Sequence, residues 1–239
     1  EPLLEVQDLG LSDCYSNVNF TLKKGEILGI TGLLGSGRTE LALSLFGVKK
    51  ADQGRILING KEATIDSVIS AINHKIGYVP DDRLSEGLFL PQSIGDNITV
   101  SDLDNISNNF GILDKAERKA EIKKWIDELA IATTDPDNPC STLSGGNQQK
   151  VVLAKWLARN LDILILNGPT VGVDIGSKHD IHLILQSLAH KGLGIIIISD
   201  DLPEIMQNCS NVLIMKGGSV IAQLNPKDIE ENQLSQYMM

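Results

Sequence analysis

Short apolar runs that end in turn residues alternate with helical patterns along most of the chain. Four of these runs, 26–30, 76–79, 163–166 and 195–198, are predicted to be strands. The last two are continuously apolar, as expected for strands of a parallel sheet that is covered on both faces. The alternation of such strands with helices predicts an α/β core around a parallel or mixed sheet.

A different pattern occupies the N-terminal part of the chain. Segments 4–6, 18–22 and 55–58 alternate between apolar and polar residues. This alternation is typical of antiparallel strands that have one face in water. We therefore expect an antiparallel β subdomain beside the α/β core.

The middle of the chain, from 92 to 158, shows no strong strand pattern and is predicted to be helical. Segment 114–130 has the spacing of an amphipathic helix, and 135–139 is a loop by its Asp, Asn and Pro content. The predicted buried stripe of that helix consists of Ala116, Ile122, Ile126 and Leu129. We expect one domain over 1–239, with a core of 1–88 and 157–239 and a helical subdomain of 89–156.

Composition narrows the class of protein. The 239 residues are 42% hydrophobic and 22% charged, an ordinary globular composition. A net charge of -10 argues against a nucleic-acid partner, which requires basic residues to neutralise phosphates. No apolar run has the length of a membrane-spanning helix and no signal segment is visible, so we expect any membrane role to come through a partner. The start at Glu1 suggests a piece of a longer protein.

Cysteine use indicates a reducing compartment. Cys14, Cys140 and Cys209 are few, odd in number and far apart. Such a set favours reduced, buried thiols of a cytosolic protein over a disulfide framework or a thiolate metal site.

The segment after the first predicted strand has the G-x-x-x-x-G-[K/R]-T spacing of a phosphate-binding loop, and a helical pattern follows it. Glycines let successive backbone N–H groups and the helix N-terminus point at an anion. The alternative is a glycine-rich turn that only connects strand to helix. The candidate phosphate-binding residues are Gly32, Leu33, Leu34, Gly35, Ser36, Gly37, Arg38 and Thr39.

Two of these residues carry specific chemistry. Thr39 would offer its hydroxyl to Mg²⁺. Arg38 stands where a lysine is usual, and its wide planar guanidinium cannot enter the same pocket as a compact ammonium. Arginine can still attract phosphate, but with a different geometry.

A second anion site is predicted at 143–150, which reads L-S-G-G-N-Q-Q-K. Ser144 is a good helix N-cap, and Gly145 and Gly146 leave backbone N–H groups bare at a helix start. The alternative is a serine-capped helix that binds nothing. A single nucleotide cannot easily account for two separate anion sites in one chain. The site at 143–150 is therefore expected to bind a nucleotide that is held by another domain.

At this point the sequence resembles the ATP-binding cassette (ABC) family, whose signature reads LSGGQ. Segment 78–83, Y-V-P-D-D-R, falls where the family has its Q-loop, with Asp81 at the glutamine position as a weak Mg²⁺ candidate. Segment 169–174 resembles the approach to the D-loop, with Asp174 intact. The motifs G-R-T-E-L, G-Y-V-P-D-D-R, L-S-G-G-N-Q-Q-K and I-S-D-D-L-P-E-I-M resemble the C-terminal halves of tandem ATPases that drive import of ribose, galactose, xylose and related solutes.

The resemblance implies a P-loop NTPase core with ATP and Mg²⁺ as ligands. It also implies partners: the N-terminal ATP-binding half of the same subunit, a membrane-spanning permease and, indirectly, a sugar-binding protein. The expected location is cytoplasmic, peripheral on the inner face of the membrane through the permease. Segment 85–97 lies where the family meets its permease, although a solvated loop is the equal alternative.

The expected catalytic carboxylates are missing from the chain's own site. The family has an aspartate and a glutamate where this sequence has Asn167 and Gly168, and a switch histidine where it has Asp200. A general base contributes about 10²–10⁴-fold, so Gly168 by itself predicts a crippled site. Asp200 is expected to repel a γ-phosphate. In this hypothesis Ser144, Gly145, Gly146 and Asn147 act in trans on ATP that is bound to the partner half.

Three functions remain in competition at the level of sequence. The first is a transporter subunit that acts through a composite ATP site. The second is a non-hydrolysing half that is needed only for assembly, and the role of Ser144 in the partner's turnover distinguishes the two. The third is a soluble ABC ATPase of repair or translation, which the acidic charge and the likeness to sugar importers disfavour.

Overall fold

The computed structural model describes residues 1–108 and 111–238. The described chain forms two compact units. The first consists of 1–78, 162–169 and 185–239, and the second of 79–161 and 170–184.

The elements are named in chain order. The strands are β1 (Pro2–Leu11), β2 (Tyr15–Lys23), β3 (Ile27–Thr31), β4 (Gln53–Ile58), β5 (Lys61–Ala63), β6 (Ile76–Val79), β7 (Ile163–Asn167), β8 (Gly194–Ile198), β9 (Asn211–Lys216) and β10 (Ser219–Leu224). The helices are α1 (Arg38–Leu45), α2 (Val68–Asn73), α3 (Ile94–Thr99), α4 (Lys115–Glu128), α5 (Gly145–Leu157), α6 (Ile175–His190), α7 (Leu202–Asn208) and α8 (Glu231–Met238).

The N-terminal strands form an antiparallel sheet in the order β2-β1-β4-β5. In the register of this sheet Leu4 faces Leu22 on one side and Ile58 on the other. All three side chains are buried, while alternate residues of β2 are exposed. The predicted antiparallel strands are confirmed, and β1 and β2 extend further in both directions than the alternating pattern indicated.

The second sheet of the first unit is mixed, in the order β10-β9-β3-β8-β7-β6. Strand β3 is parallel to β8 and β9, β7 is parallel to β8, and β10 runs antiparallel to β9. Every residue of β7 and β8 is buried, so the prediction of strands covered on both faces is confirmed. Carboxyl ends of parallel strands share one edge of a sheet, which brings the chain after β3, β7 and β8 together.

Helices dominate the second unit, and α3 packs against both α4 and α5. The predicted helix over 114–130 is confirmed as α4, but its predicted stripe is partly wrong. Ala116 is exposed, because only the C-terminal half of α4, with Ile122 and Trp125, is buried. No helix of the described chain combines the length and apolarity that crossing a membrane requires.

Candidate functional site

The glycine-rich loop joins the buried end of β3 to the start of α1. Gly37 precedes the helix with a φ of 91°, and a Cβ at this position would lie 2.6 Å from the carbonyl oxygen of Cys14. Glycine is therefore required both by the left-handed backbone and by the close approach. No side chain caps α1, which leaves its first N–H groups for an external acceptor. This arrangement fits an anion such as a phosphate group.

The two unusual charged residues of this site are paired with each other. Arg38 Nη2 lies 3.2 Å from Asp200 Oδ2, with the arginine side chain 13% exposed and the aspartate side chain 70% exposed. Arg38 Nη1 is buried and has no hydrogen-bond partner within the described residues. A phosphate group would therefore have to share the guanidinium with Asp200.

The end of β7 offers little support for Mg²⁺. Asn167 is buried, and its Nδ2 lies 3.5 Å from the hydroxyl of Tyr78. An amide adds no negative charge to hold a divalent cation, which prefers carboxylate oxygens. Thr39 is half-buried on α1 in the first unit, whereas Asp81 is exposed in the second unit. The residues of the first unit thus fit a phosphate better than they fit its metal ion.

Gly168, the residue after Asn167, has an unusual backbone conformation in addition to lacking a side chain. Gly168 has a φ of 58°, and its N–H donates to the carbonyl oxygen of Ile198 at 2.8 Å. L-residues adopt this left-handed conformation only at a cost. The position that carries a catalytic glutamate in the resembled family is therefore held here in a conformation that favours glycine.

Restoring that carboxylate is expected to fail. In Gly168→Glu the left-handed backbone should lower the free energy of unfolding by roughly 1–2 kcal/mol. ATPase activity of this chain should not rise, because the carboxylate would arrive on a strained backbone beside a neutral Asn167. Denaturant unfolding and phosphate release check the two parts. Gln223→Glu, at an exposed position of β10, serves as a control for the added negative charge.

The L-S-G-G-N-Q-Q-K segment begins α5, with Ser144 as its N-cap. Ser144 Oγ accepts from the backbone N–H of Asn147 at 3.4 Å and from Asn147 Nδ2 at 2.9 Å. Asn147 Oδ1 in turn accepts from the N–H of Ala132 at 2.8 Å. The predicted N-cap is confirmed, and the Asn147 side chain is occupied in holding the Ser144 hydroxyl. Ser144 is exposed, so this hydroxyl can donate its own proton outward.

The two signature glycines differ in their access to solvent. Gly145 is half-buried, and Gly146 is buried against the side chain of Ser177. Any Cβ at Gly146 would overlap that side chain. The start of α5 therefore presents Ser144 and one edge of Gly145, and Gly146 contributes to the packing beneath them.

Segment 170–175 carries exposed apolar side chains next to a capped helix. Val171 is 56% exposed and Ile175 is 87% exposed. The Asp174 carboxylate accepts from the Oγ of Ser177 at 2.7 Å and from its backbone N–H at 3.0 Å, and these bonds lower the pKa of Asp174. These two hydrogen bonds stabilise the turn before α6.

Sequence reasoning assigned no role to Arg83, which the structure makes prominent. The side chain is buried and donates from Nη1 to the carbonyl oxygen of Val171 at 2.7 Å and from Nη2 to that of Gly172 at 3.1 Å. Burial lowers the pKa of its guanidinium, against the opposing effect of Asp82. The only sequence signal was its place at the end of the Y-V-P-D-D-R motif.

Tyr15 opens β2 with only 4% of its side chain exposed, and burial raises the pKa of its hydroxyl to about 12. A ring buried to this extent presents little face on which a base could stack. Tyr15 is therefore a core residue at the start of β2.

The family model for the ABC transporter matches residues 15–171. The chain belongs to the ABC transporter family. The fold agrees, because the chain is similar to a nucleotide-free ATP-binding cassette from an ABC transporter, with a TM-score of 0.85 at 20% identity over 98% of this chain and 96% of that one. The structure thus has the ABC ATPase fold, with a mixed sheet, an antiparallel sheet and helices.

Among curated proteins this ABC chain is similar to ribose import ATP-binding proteins. It is 41% identical to RbsA of Clostridium perfringens (strain 13 / Type A) over 97% of this chain and 46% of that protein. It is 42% identical to RbsA 1 of Rhizobium johnstonii over 98% of this chain and 46% of that protein. The chain therefore spans about half the length of the curated relatives it matches.

Proposed function

We propose that this chain is the C-terminal ATP-binding half of a tandem subunit that powers import of ribose or a related simple sugar. The likeness to ribose import ATP-binding proteins over nearly the whole chain, at about half of their length, carries this proposal. A second ATP-binding half, a membrane-spanning permease and, indirectly, a sugar-binding protein are the proposed partners. Attachment to the permease would hold the subunit at the cytoplasmic face of the membrane.

The proposed subunit is asymmetric, and the end of β7 is the observation that carries the asymmetry. Asn167 and the left-handed Gly168 provide neither a carboxylate for Mg²⁺ nor a base for water. Bound Mg²⁺ would stabilise negative charge on the phosphates. With the ion poorly held and no base present, we propose that nucleotide at this P-loop is held without efficient turnover.

Nucleotide at this loop would be bound by backbone N–H groups, the uncapped start of α1 and the guanidinium of Arg38. Asp200 would compete for the same guanidinium through its 3.2 Å contact with Arg38. Because the Asp200 side chain is largely exposed, this ion pair is weak and contributes at most about 1 kcal/mol. A phosphate group could displace Asp200 from Arg38. We therefore propose that nucleotide bound here has a structural role in the closed subunit.

The second predicted anion site, at the start of α5, is proposed to act on nucleotide that is bound to the partner half. The exposed Ser144 hydroxyl, held in place by Asn147, would donate to the γ-phosphate of ATP on the partner half. Donors that are fixed in advance stabilise the charge that develops during phosphoryl transfer. Because Gly145 has no side chain, the backbone around it could come close to that nucleotide. The buried Gly146 would pack beneath Ser144 and Gly145.

The sequence-based division into a core of 1–88 and 157–239 and a helical subdomain of 89–156 is retained as a proposal. Residues 85–97 are proposed to face the permease. The side chain of Phe89, which is 58% exposed, supports this because exposed apolar groups are typical of interaction surfaces.

The experiment is a comparison of this chain alone with a polypeptide in which a catalytically intact ATP-binding half precedes it. Alone, the chain should bind nucleotide weakly and release phosphate at background rates. Joined to the second half and the permease, it should support ATP turnover and sugar uptake. Robust turnover by the isolated chain would contradict the proposed asymmetry.

A further inference from the structure

Arg83 opens a short π-helical turn, Arg83–Gly87, and lies buried in the second unit. Its hydrogen bonds go to two consecutive backbone carbonyls, those of Val171 and Gly172. Within the described part of the chain it forms no ion pair with a carboxylate, and its Nε is buried without a partner. Burying a charged group costs free energy when only carbonyl oxygens compensate it. This arrangement is therefore not explained by stability alone.

The same guanidinium lies against the first residue of α5. A Cβ at Gly145 would lie 2.7 Å from Arg83 Nη2 and 3.0 Å from the carbonyl oxygen of Gly172. The absence of a side chain at Gly145 is therefore what lets the arginine and the 171–172 carbonyls approach the start of the helix. Arg83 therefore lies against both the signature turn (residues 143–146) and the segment that precedes Asp174.

The other end of the π-helical turn is also fixed to α5. Lys155, in the last turn of α5, donates from Nζ to the carbonyl oxygen of Gly87 at 2.6 Å. The turn 83–87 is thus held at the start of α5 through Arg83 and near its end through Lys155. Through these contacts, segment 171–172 lies beside the start of α5.

We propose that Arg83 is a positioning residue that sets segment 171–174 against the signature turn, so that both are presented together to nucleotide on the partner half. This inference rests on the proposed function. ATP would bind mainly through the partner's own P-loop, and the signature turn would complete the site on closure. Loss of Arg83 should therefore lower kcat and leave KM for ATP nearly unchanged.

The test uses the complete two-half subunit with its permease in membranes. Arg83→Lys keeps the charge but loses the two-pronged contact with the carbonyls. It should lower kcat by about 10- to 100-fold, the scale of loss that a displacement of the order of 1 Å causes, with KM within about twofold. Hydrogen exchange of the backbone amides of 171–174 should accelerate. Arg118→Lys is the matched control, because Arg118 forms a single ion pair with Asp96 in the same unit.

An unchanged kcat in Arg83→Lys would overturn the inference. So would a loss that Arg118→Lys reproduces, or one that follows a lowered unfolding midpoint with no change in exchange at 171–174. Ser144→Leu measured in parallel separates the two proposals. If Ser144→Leu removes turnover and Arg83→Lys does not, only the role of Arg83 fails. If Ser144→Leu leaves turnover intact, the proposed trans function itself fails.

Discussion

Replacing Ser144 by leucine is expected to reduce transport-coupled ATP turnover by at least about 100-fold, the loss that removal of one preorganised oxyanion donor causes. The leucine cannot donate to a phosphate, and its bulk would occupy the exposed start of α5 where the partner's nucleotide is proposed to lie. Phosphate release by the complete two-half subunit with its permease, measured at saturating ATP, is the decisive assay.

The control for this substitution is another serine cap, outside the segment 85–97 that is proposed to face the permease. Ser67 caps α2 as Ser144 caps α5, and its Oγ accepts from the N–H of Ser70 at 3.2 Å. Ser67→Leu loses a comparable cap, worth about 1 kcal/mol, without touching the start of α5. Normal turnover in Ser67→Leu would show that a lost cap is not the cause.

Thr39→Ala provides the second comparison, because Thr39 lies in the chain's own P-loop. It should lower turnover much less than Ser144→Leu does. Equal losses from the two changes would contradict the asymmetry. Unchanged turnover in Ser144→Leu would favour the alternative in which this half serves only assembly.

Shortening the buried side chains of the central strand β8 should have the largest effect on the free energy of unfolding. Ile195 and Ile196 point to opposite faces of the sheet, and both side chains are fully buried. Ile195→Ala and Ile196→Ala should each lower the free energy of unfolding by about 2–5 kcal/mol, because each leaves a cavity in a covered face. Denaturant unfolding followed by circular dichroism measures both.

Ile221→Ala on β10 is the control, since the Ile221 side chain is 45% exposed. It should change the free energy of unfolding by less than about 1 kcal/mol. A small effect in only one of the two β8 variants would mean that one face of the sheet is open. That result would contradict both the continuous apolar pattern and the observed burial.

Local signals predicted most of the architecture. The continuous apolar runs at β7 and β8 predicted strands inside a covered sheet, and the alternation at β1, β2 and β4 predicted the antiparallel sheet. Strands β5, β9 and β10 and helices α2, α7 and α8 were not predicted. In α4 the pattern identified the helix but placed Ala116 in the core, because periodicity indicates a helix face without indicating how far along the helix its neighbours extend.

The candidate site divides in the same way. The spacing from Gly32 to Thr39 and the capped turn at Ser144 are local features, in which nearby residues dictate the backbone, so the sequence alone determined a glycine-rich loop before α1 and a serine-capped start of α5. That Asn167 and Gly168 carry no carboxylate was equally visible in the sequence. These features needed no knowledge of distant contacts.

Only the tertiary structure decided how the unusual residues are used. Asp200 was expected to repel a γ-phosphate, and the fold places it in an ion pair with Arg38, which follows a different strand. Arg83 reaches a carbonyl 88 residues away. Side chains that meet across such separations are brought together by sheet order and helix packing, and no spacing rule along the chain encodes which partner a buried charge will find.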